Sequence, residues 1–440
     1  MPYSIKKRIP TYALDCFMVF LNLAGARGNI LLFWLFGITQ LVYVLLIVVV
    51  LDFLYLVFRF KSFFISNIGL SFHLIPIYLT ISLLLVNYYN SIREGAGFII
   101  STCFFLLILF FSFIIGGLIK DYSKKNLDDG DILHTISRGY IWLSLITICG
   151  IFISFFFDII FGLQRSPIEA DFLESNIEHG SSYYRSFFSV LIQDTDTRVP
   201  FFQEFGILTG LFHEPQVATH NIFPCLFLLW GFSRNKNQSS LIIVTAMLFI
   251  LFSGSVTNML VVAICLLVYF FVNSKSKLFG LTAGAGIIVL LVLFVMRFDT
   301  GGIMQDFVLD RLDSDNRSQL YSISMLVWTF SPSTILGNNF MDTDYVMDIM
   351  DFGGAHSDVG FIPCFLFIGY IVSFFINTIR LLSIDNKKAK AIGLASLYFI
   401  IHSSKIGMPM LILTLPILLV FLQYVMLESY GRSRALKKNM

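Results

Sequence analysis

Long apolar runs recur along the whole chain, and no other feature restricts its fold as strongly. A helix needs about 20 mostly apolar residues to cross the ~30 Å hydrocarbon core of a bilayer. Runs such as 41–51 lack the alternation of apolar and polar residues that a transmembrane β-strand shows, so they predict helices. With 57% hydrophobic and only 13% charged residues among 440, the composition argues against a soluble enzyme, a disordered chain and a secreted disulfide-rich domain.

These runs predict an all-α, polytopic integral membrane protein with about twelve transmembrane helices. The predicted spans are 10–25, 30–58, 63–88, 96–119, 137–162, 207–231, 239–254, 256–273, 278–297, 358–381, 390–404 and 408–428. Cytoplasmic connections of membrane proteins are enriched in Lys and Arg. With an even number of spans and a cytoplasmic N-terminus, most of the 30 Lys and Arg residues fall in cytoplasmic connections. Both termini are therefore expected in the cytoplasm.

The hydropathy pattern predicts one membrane domain, 1–440, with two large extracytoplasmic loops at 163–206 and 298–357. Connections of this length are usually functional. Nearly all lysines fall on the predicted cytoplasmic side, whereas many arginines fall in the outer loops, where a guanidinium suits a phosphate or a carboxylate. These arginines could equally pair with carboxylates of the same loops. The formal net charge of +2 makes nucleic acid an unexpected partner.

The stretch 206–221 carries the first candidate site. Pro215 is well placed as the first residue of a helix, and Glu214 precedes it in a position that suits an acidic side chain. Such a helix start at the outer membrane surface offers backbone N–H groups to an anion. Glu214 can instead be a plain helix cap.

The end of the second loop carries another candidate. His356 and Asp358 follow two glycines where the chain re-enters the membrane, and a histidine there can act as a base near neutral pH. A helix cap or a hydrogen-bonded loop residue is the alternative for His356. His402 is a further, weaker candidate on the outer face. The loop aspartates match no EF-hand spacing and the cysteines form no CxxC pair, so neither a metal nor a cofactor is predicted.

Four short sequence motifs, taken in their order along the chain, resemble those of the Wzy-type O-antigen polymerase and O-antigen ligase superfamily. Members of that superfamily are polytopic, GT-C-like enzymes that use extracytoplasmic loops for catalysis. The resemblance covers about residues 200–375. It rests on a G-x-x-x-E-P element, an S-x-S-x-T step between two helices, an Arg–Trp–Gly stretch and a His–Gly–Gly element. In this chain these are Gly210 to Pro215, Ser253 to Thr257, Arg317 with Trp328 and Gly337, and His356 with Gly360 and Gly369.

The resemblance implies a glycosyltransferase of the bacterial cytoplasmic (inner) membrane. Such an enzyme moves a growing glycan from undecaprenyl diphosphate onto the next lipid-linked repeat unit, with a chain-length regulator as an expected partner. It implies catalytic roles for Glu214, His356 and Arg317, with Glu214 or His356 activating the acceptor hydroxyl. Substrate binding, including the pyrophosphate, would fall to Arg297, Arg198, Arg311 and His213.

One departure from the family pattern concerns the pyrophosphate. Family members often carry an Arg just before the first glycine of the E-P element, where this chain has Gln203 and Glu204 ahead of Gly206. Arg198 is the nearest arginine upstream. If an Arg of this loop contacts the pyrophosphate, Arg198 is the close option.

Three other functions fit the same pattern of spans. An O-antigen ligase would use the same donor with a lipid A–core acceptor. A polysaccharide flippase or other transporter would also have about twelve spans, but transporters usually carry charges at mid-membrane and two similar halves. A non-catalytic membrane scaffold is the third. The concentration of ionisable residues in two outer loops favours the polymerase.

Overall fold

The computed structural model describes the backbone of most of the apolar segments and part of the first predicted loop. The described residues are 9–24, 41–60, 97–125, 128–161, 166–168, 181–185, 189–194, 206–212, 215–252, 256–273, 282, 286, 361–406 and 414–438. The helices are α1 Ile9–Ala24, α2 Leu41–Phe60, α3 Gly97–Lys124, α4 Asp129–Ser154, α5 Pro215–Phe232, α6 Lys236–Phe252, α7 Val256–Asn273, α8 Phe361–Ser383, α9 Lys387–Ile406 and α10 Thr414–Lys438. A π-helix, Phe155–Ile160, continues α4.

The described helices fall in the predicted spans. Each predicted span has its helix except 63–88, which lies outside the described residues, and 278–297, of which only 282 and 286 are described. Within the described part, four helical segments are long and apolar enough to cross a bilayer: Tyr43–Phe60, Leu106–Lys124, Asp129–Phe157 and Thr414–Gly431. The chain is therefore a mostly helical protein with membrane-spanning character, and the count of about twelve stays a prediction.

A small sheet that the sequence did not indicate lies in the first predicted outer loop and at the start of the next predicted span. Its strands are β1 Ser166–Pro167, β2 Ser181–Arg185, β3 Val190–Asp194 and β4 Ile207–Gly210. They pair antiparallel in the order β1-β2-β3-β4. The predicted span 207–231 began too early, because 207–210 is a strand and α5 begins at Pro215. Apolar side chains of a buried strand look like the start of a span when only hydropathy is considered.

The core consists of helices packed around α9. Helix α9 packs on α5 and α8, while α1 packs on α4 and α2 on α3. Helices α1 and α4 approach very closely at Gly139, where an added Cβ would lie 2.3 Å from the carbonyl oxygen of Cys16. Small residues allow such close backbone contact between helices in a membrane.

Short connections and cross-helix contacts bring the ends of several helices together at one end of the bundle. His134 near the start of α4 contacts Phe232 at the end of α5, with ring centroids 5.4 Å apart. The Lys387 ammonium at the start of α9 donates to Ser233 Oγ at 2.7 Å, just beyond the end of α5. We name this the cation-rich end, because it holds the described Lys and Arg side chains: Arg59, Lys120, Lys124, Lys125, Arg138, Arg234, Lys236, Arg380, Lys387, Lys388 and Lys390.

The opposite end of the bundle carries the sheet. Strand β4 contacts α4 and α5, and Gly210 at its end lies so near Thr147 of α4 that an added Cβ would be 2.3 Å from Thr147 Cγ2. Gly210 also has a φ of 68°, which favours glycine. The described part of the cations predicted as cytoplasmic and the described strands next to the first predicted outer loop therefore lie at opposite ends of the described helices.

Candidate functional site

A buried polar cluster joins α5, α7 and α9 near the end that carries the sheet. We name it the histidine cluster, and it consists of Thr219, His220, Asn258, Tyr398 and His402. Each of these side chains is at most 1% exposed. Polar residues buried among apolar helices are costly unless their hydrogen bonds are satisfied, and in membrane proteins they frequently mark functional sites.

Hydrogen bonds connect the cluster in a line. The hydroxyl of Tyr398 donates to Asn258 Oδ1 at 2.6 Å. Thr219 Oγ1 lies 3.3 Å from His402 Nε2, and the Nδ1 atoms of His220 and His402 lie 3.2 Å apart. Thr219 also hydrogen-bonds to Tyr398. The line thus runs from Asn258 through both hydroxyls and both imidazoles.

One assignment of donors and acceptors satisfies every bond of this line when both rings are neutral, which is the form that an apolar environment favours. In this assignment Tyr398 gives its proton to Asn258, and Thr219 donates to the Tyr398 oxygen. His402 Nε2–H then donates to Thr219, and His402 Nδ1 accepts from His220 Nδ1–H. His220 Nε2 is left as an unprotonated nitrogen.

The Nε2 atom of His220 is buried and has no hydrogen-bond partner among the described residues. Buried polar groups in folded proteins nearly always have partners, so such an atom calls for an explanation. An unprotonated imidazole nitrogen can accept a proton from a hydroxyl or a water that binds beside it. The line of hydrogen bonds behind it would hold the ring in the correct tautomer.

Aromatic rings enclose the two histidines. The His220 ring centroid is 4.5 Å from that of Phe399, and the His402 ring is stacked on Tyr398 with centroids 5.3 Å apart. Phe223, one turn further along α5, stacks on Tyr398 at 5.2 Å. These contacts limit ring rotation and keep the environment weakly polar.

Hydrogen bonds hold the end of β4, which precedes α5, and the backbone of α5 near His220. The backbone N–H of Gly210 donates to Ser189 Oγ at 2.7 Å, and Thr209 Oγ1 donates to the carbonyl oxygen of Phe212. Within α5, Pro224 has no N–H to donate to the carbonyl of His220. The Tyr140 hydroxyl of α4 donates to the next carbonyl, that of Asn221. The E-P element is thus followed directly by the helix that carries His220.

A second polar cluster, buried at Asp15, Tyr55 and Tyr122 and half-buried at Arg59 and Asp121, lies at the cation-rich end. We name it the ionic network, and it consists of Asp15, Tyr55, Arg59, Asp121 and Tyr122. The Asp15 carboxylate accepts from Tyr55 at 2.5 Å, Tyr122 at 2.6 Å and Arg59 Nε at 3.1 Å. Arg59 Nη2 also donates to Asp121 at 2.6 Å. This network ties α1, α2 and α3 together.

The residues to which the sequence assigned roles lie outside the described side chains. They are Glu214, His356, Arg317, Arg297, Arg198, Arg311 and His213. Their roles stay predictions. Within the described part of the chain, no group of three or more His, Cys, Asp and Glu residues could hold a metal ion.

Sequence reasoning did not find the histidine cluster as a unit. It noted His402 as a weak candidate, and His220 only as part of the stretch around the E-P element. A useful signal was present, because Thr219, His220 and Asn221 are consecutive polar residues inside an apolar span. The partner of His220 lies 182 residues away in sequence, which no local pattern indicates.

Neither a protein-family model nor a curated protein nor a solved structure matches this chain. The resemblance in the sequence therefore stands on the motifs themselves. The function has to be inferred from the motifs together with the chemistry of the buried clusters.

Proposed function

We propose that the chain is a membrane glycosyltransferase that polymerises glycan repeat units carried on a polyprenyl diphosphate. One observation carries this proposal. The E-P element precedes a helix whose second turn holds a buried, hydrogen-bonded histidine with an unpartnered nitrogen, at the end of the bundle opposite the cation-rich end. A proton-accepting group and one of the family-like motifs thus occur next to each other in the chain.

The reaction needs a base and a way to stabilise a leaving diphosphate. The acceptor hydroxyl oxygen attacks the anomeric carbon, and the bond from that carbon to the diphosphate oxygen breaks, its electron pair leaving with the diphosphate. The hydroxyl proton passes to Glu214 or His356 as the proposed base. Arg317 and Arg297, with Arg198, are proposed to stabilise the charge on the diphosphate.

The proposed role of the histidine cluster is to support this proton transfer. His220 lies six positions after Glu214 in sequence, which corresponds to roughly 9 Å along a helix. A neutral imidazole at this place can hold a water or accept a proton. Arg311 and His213 are proposed to contact the lipid-linked donor or acceptor.

The separation of charge supports an orientation for this enzyme. If the cation-rich end faces the cytoplasm, as the enrichment of Lys and Arg in cytoplasmic connections favours, the sheet and the E-P element face outwards. We propose the bacterial cytoplasmic (inner) membrane, cytoplasmic termini, lipid-linked oligosaccharides as substrates and a chain-length regulator as a partner.

A complementation experiment tests the proposal in cells. A strain that lacks the gene is complemented with the parent chain, Glu214→Gln, Arg317→Ala or the control Lys236→Ala, which alters the opposite end of the bundle. At matched membrane expression, we expect single-repeat products with Glu214→Gln and with Arg317→Ala. We expect a full polysaccharide ladder with the parent chain and with the control. Full ladders with Glu214→Gln and Arg317→Ala would remove both residues from the mechanism.

The products of the deletion strain distinguish the competing functions. Single-repeat products indicate loss of a polymerase, whereas accumulated lipid-linked polymer without transfer to the core indicates loss of a ligase. Purified protein that lengthens a lipid-linked repeat without a nucleotide sugar would identify the activity directly. Failure of that elongation with an intact, folded protein would contradict the proposal.

A further inference from the structure

A pocket at the cation-rich end has a composition that the proposed function does not use. It lies between α2 and α3, has a volume of about 180 Å³, and is lined by Leu56, Arg59, Phe60, Phe113, Gly117, Lys120, Asp121 and Lys124. We name it the headgroup pocket. We propose that it binds the phosphate headgroup of an anionic phospholipid, with part of an acyl chain along its apolar wall.

Charge is the first argument. Three cations, Arg59, Lys120 and Lys124, line the pocket against one carboxylate, Asp121. That carboxylate is itself engaged by Arg59 Nη2 and by Lys125, each at 2.6 Å. The lining therefore keeps a net positive charge, which suits a phosphate diester.

The order of residues along the helices is the second argument. On α3, Phe113, Gly117, Lys120 and Lys124 are spaced three or four positions apart, so they share one face of the helix. The pocket wall thus changes from apolar to basic toward the end of α3. A phospholipid has the same order, from acyl chain to headgroup, and basic pockets between transmembrane helices are known to take anionic headgroups.

Rigidity of Arg59 is the third argument. Its side chain is 17% exposed and is held on one side by Asp15 and on the other by Asp121. Because Arg59 fixes Asp121 in the wall, the shape of the pocket is set before an anion binds, which lowers the entropy cost of binding. Free phosphate would use the cations alone, whereas the apolar wall of Leu56, Phe60 and Phe113 favours a lipid.

Equilibrium binding to the purified full-length protein in neutral detergent tests this proposal. The probes are phosphatidylglycerol and phosphatidylcholine with the same fluorescent label on an acyl chain, and inorganic phosphate serves as a competitor. We expect phosphatidylglycerol to bind at least ~10-fold more tightly than phosphatidylcholine, and we expect millimolar phosphate to displace little of it. Equal binding of the two lipids, or displacement by phosphate alone, would overturn the proposal.

Substitutions of lysines inside and outside the headgroup pocket test where phosphatidylglycerol binds. Lys120→Gln/Lys124→Gln should weaken phosphatidylglycerol binding about 10- to 30-fold, whereas Lys388→Gln/Lys390→Gln, which removes two cations from the same end but outside the pocket, should leave it unchanged. If the first double variant does not fold, Lys124→Gln alone, which changes an exposed side chain, should still weaken binding several-fold. Unchanged binding in the folded pocket variants, or equal loss in the control, would assign the lipid to another surface.

Discussion

The ionic network and the histidine cluster both bury polar side chains among apolar helices, but they satisfy them differently. In the ionic network, the Asp15 carboxylate has three donors and Arg59 has a carboxylate on each side. In the histidine cluster, the line of hydrogen bonds stops at His220 Nε2, which has no partner among the described residues. A saturated cluster holds helices together, whereas an unsaturated end is available for a substrate or a water.

The largest effect is expected from Asp15→Ala, which tests whether the ionic network is structural. The change leaves two buried tyrosine hydroxyls without their acceptor and Arg59 without one of its carboxylates. We expect a loss of about 3–5 kcal/mol in the free energy of unfolding, because breaking a buried ion pair by removing one partner costs that much. The measurement is the denaturant midpoint of the purified protein.

The matched control for this change is Asp385→Ala. Like Asp15, Asp385 pairs with a cation, here Lys390, but the Asp385 side chain is fully exposed. Exposed ion pairs contribute little, so its midpoint should stay at that of the parent chain. Equal losses in Asp15→Ala and Asp385→Ala would contradict the structural role of the network.

The next largest effect is expected from His220→Phe, which should lower the elongation activity. Phenylalanine keeps the ring contact with Phe399, but it removes the hydrogen-bond partner of His402 Nδ1 together with the unpartnered nitrogen, so stability should fall by about 1–3 kcal/mol. Elongation of a lipid-linked repeat should fall by at least ~100-fold if His220 takes part in proton transfer. If His220→Phe lost much stability but elongated the lipid-linked repeat normally, the histidine cluster would have a structural role, like the ionic network.

A smaller effect is expected from Tyr398→Phe. The hydroxyl fixes the direction of the hydrogen bonds through Thr219 to His220, and its loss leaves Asn258 Oδ1 without this donor. We expect a loss of about 1–2 kcal/mol in stability and a shift in the pH profile of activity, since His220 is no longer held in one tautomer. An unchanged pH profile would show that the line of hydrogen bonds does not reach the reaction.

The smallest effect is expected from Lys125→Ala at the edge of the ionic network. Lys125 pairs with Asp121 one turn earlier on an exposed surface. Such pairs contribute about 0.3–0.5 kcal/mol, so the denaturant midpoint should move barely beyond experimental error. A loss comparable to that of Asp15→Ala would mean that Lys125 belongs to the buried part of the network.

Hydropathy predicted the helices well because burial in lipid needs an unbroken apolar run, and that requirement is local. It did not predict how polar residues inside those runs pair. Two polar residues, Asp15 and Asn22, interrupt the first predicted span, yet the structure buries both, and Asn22 Nδ2 donates to Asp52 at 2.7 Å. Polar residues in a span therefore indicated partners rather than the absence of a helix.

The sheet and the histidine cluster escaped prediction for related reasons. Strand β4 is apolar and buried on both faces, so it resembles the start of the following span. The two histidines are brought together only by the packing of α5 against α9. Such contacts depend on tertiary structure, and a single sequence contains no direct record of them.

The contacts of α1 also have a consequence for the order of events during synthesis. Tyr122, which donates to Asp15, follows it by 107 residues, and Gly139, which receives the backbone of α1, comes later still. At translation rates of about 5–20 residues per second, these partners emerge on the order of ten seconds after α1. During that interval the Asp15 carboxylate can pair with Arg59 of α2, which follows it by 44 residues, but it lacks the hydroxyl of Tyr122. The packing of α1 is therefore completed only after α3 and α4 have been synthesised.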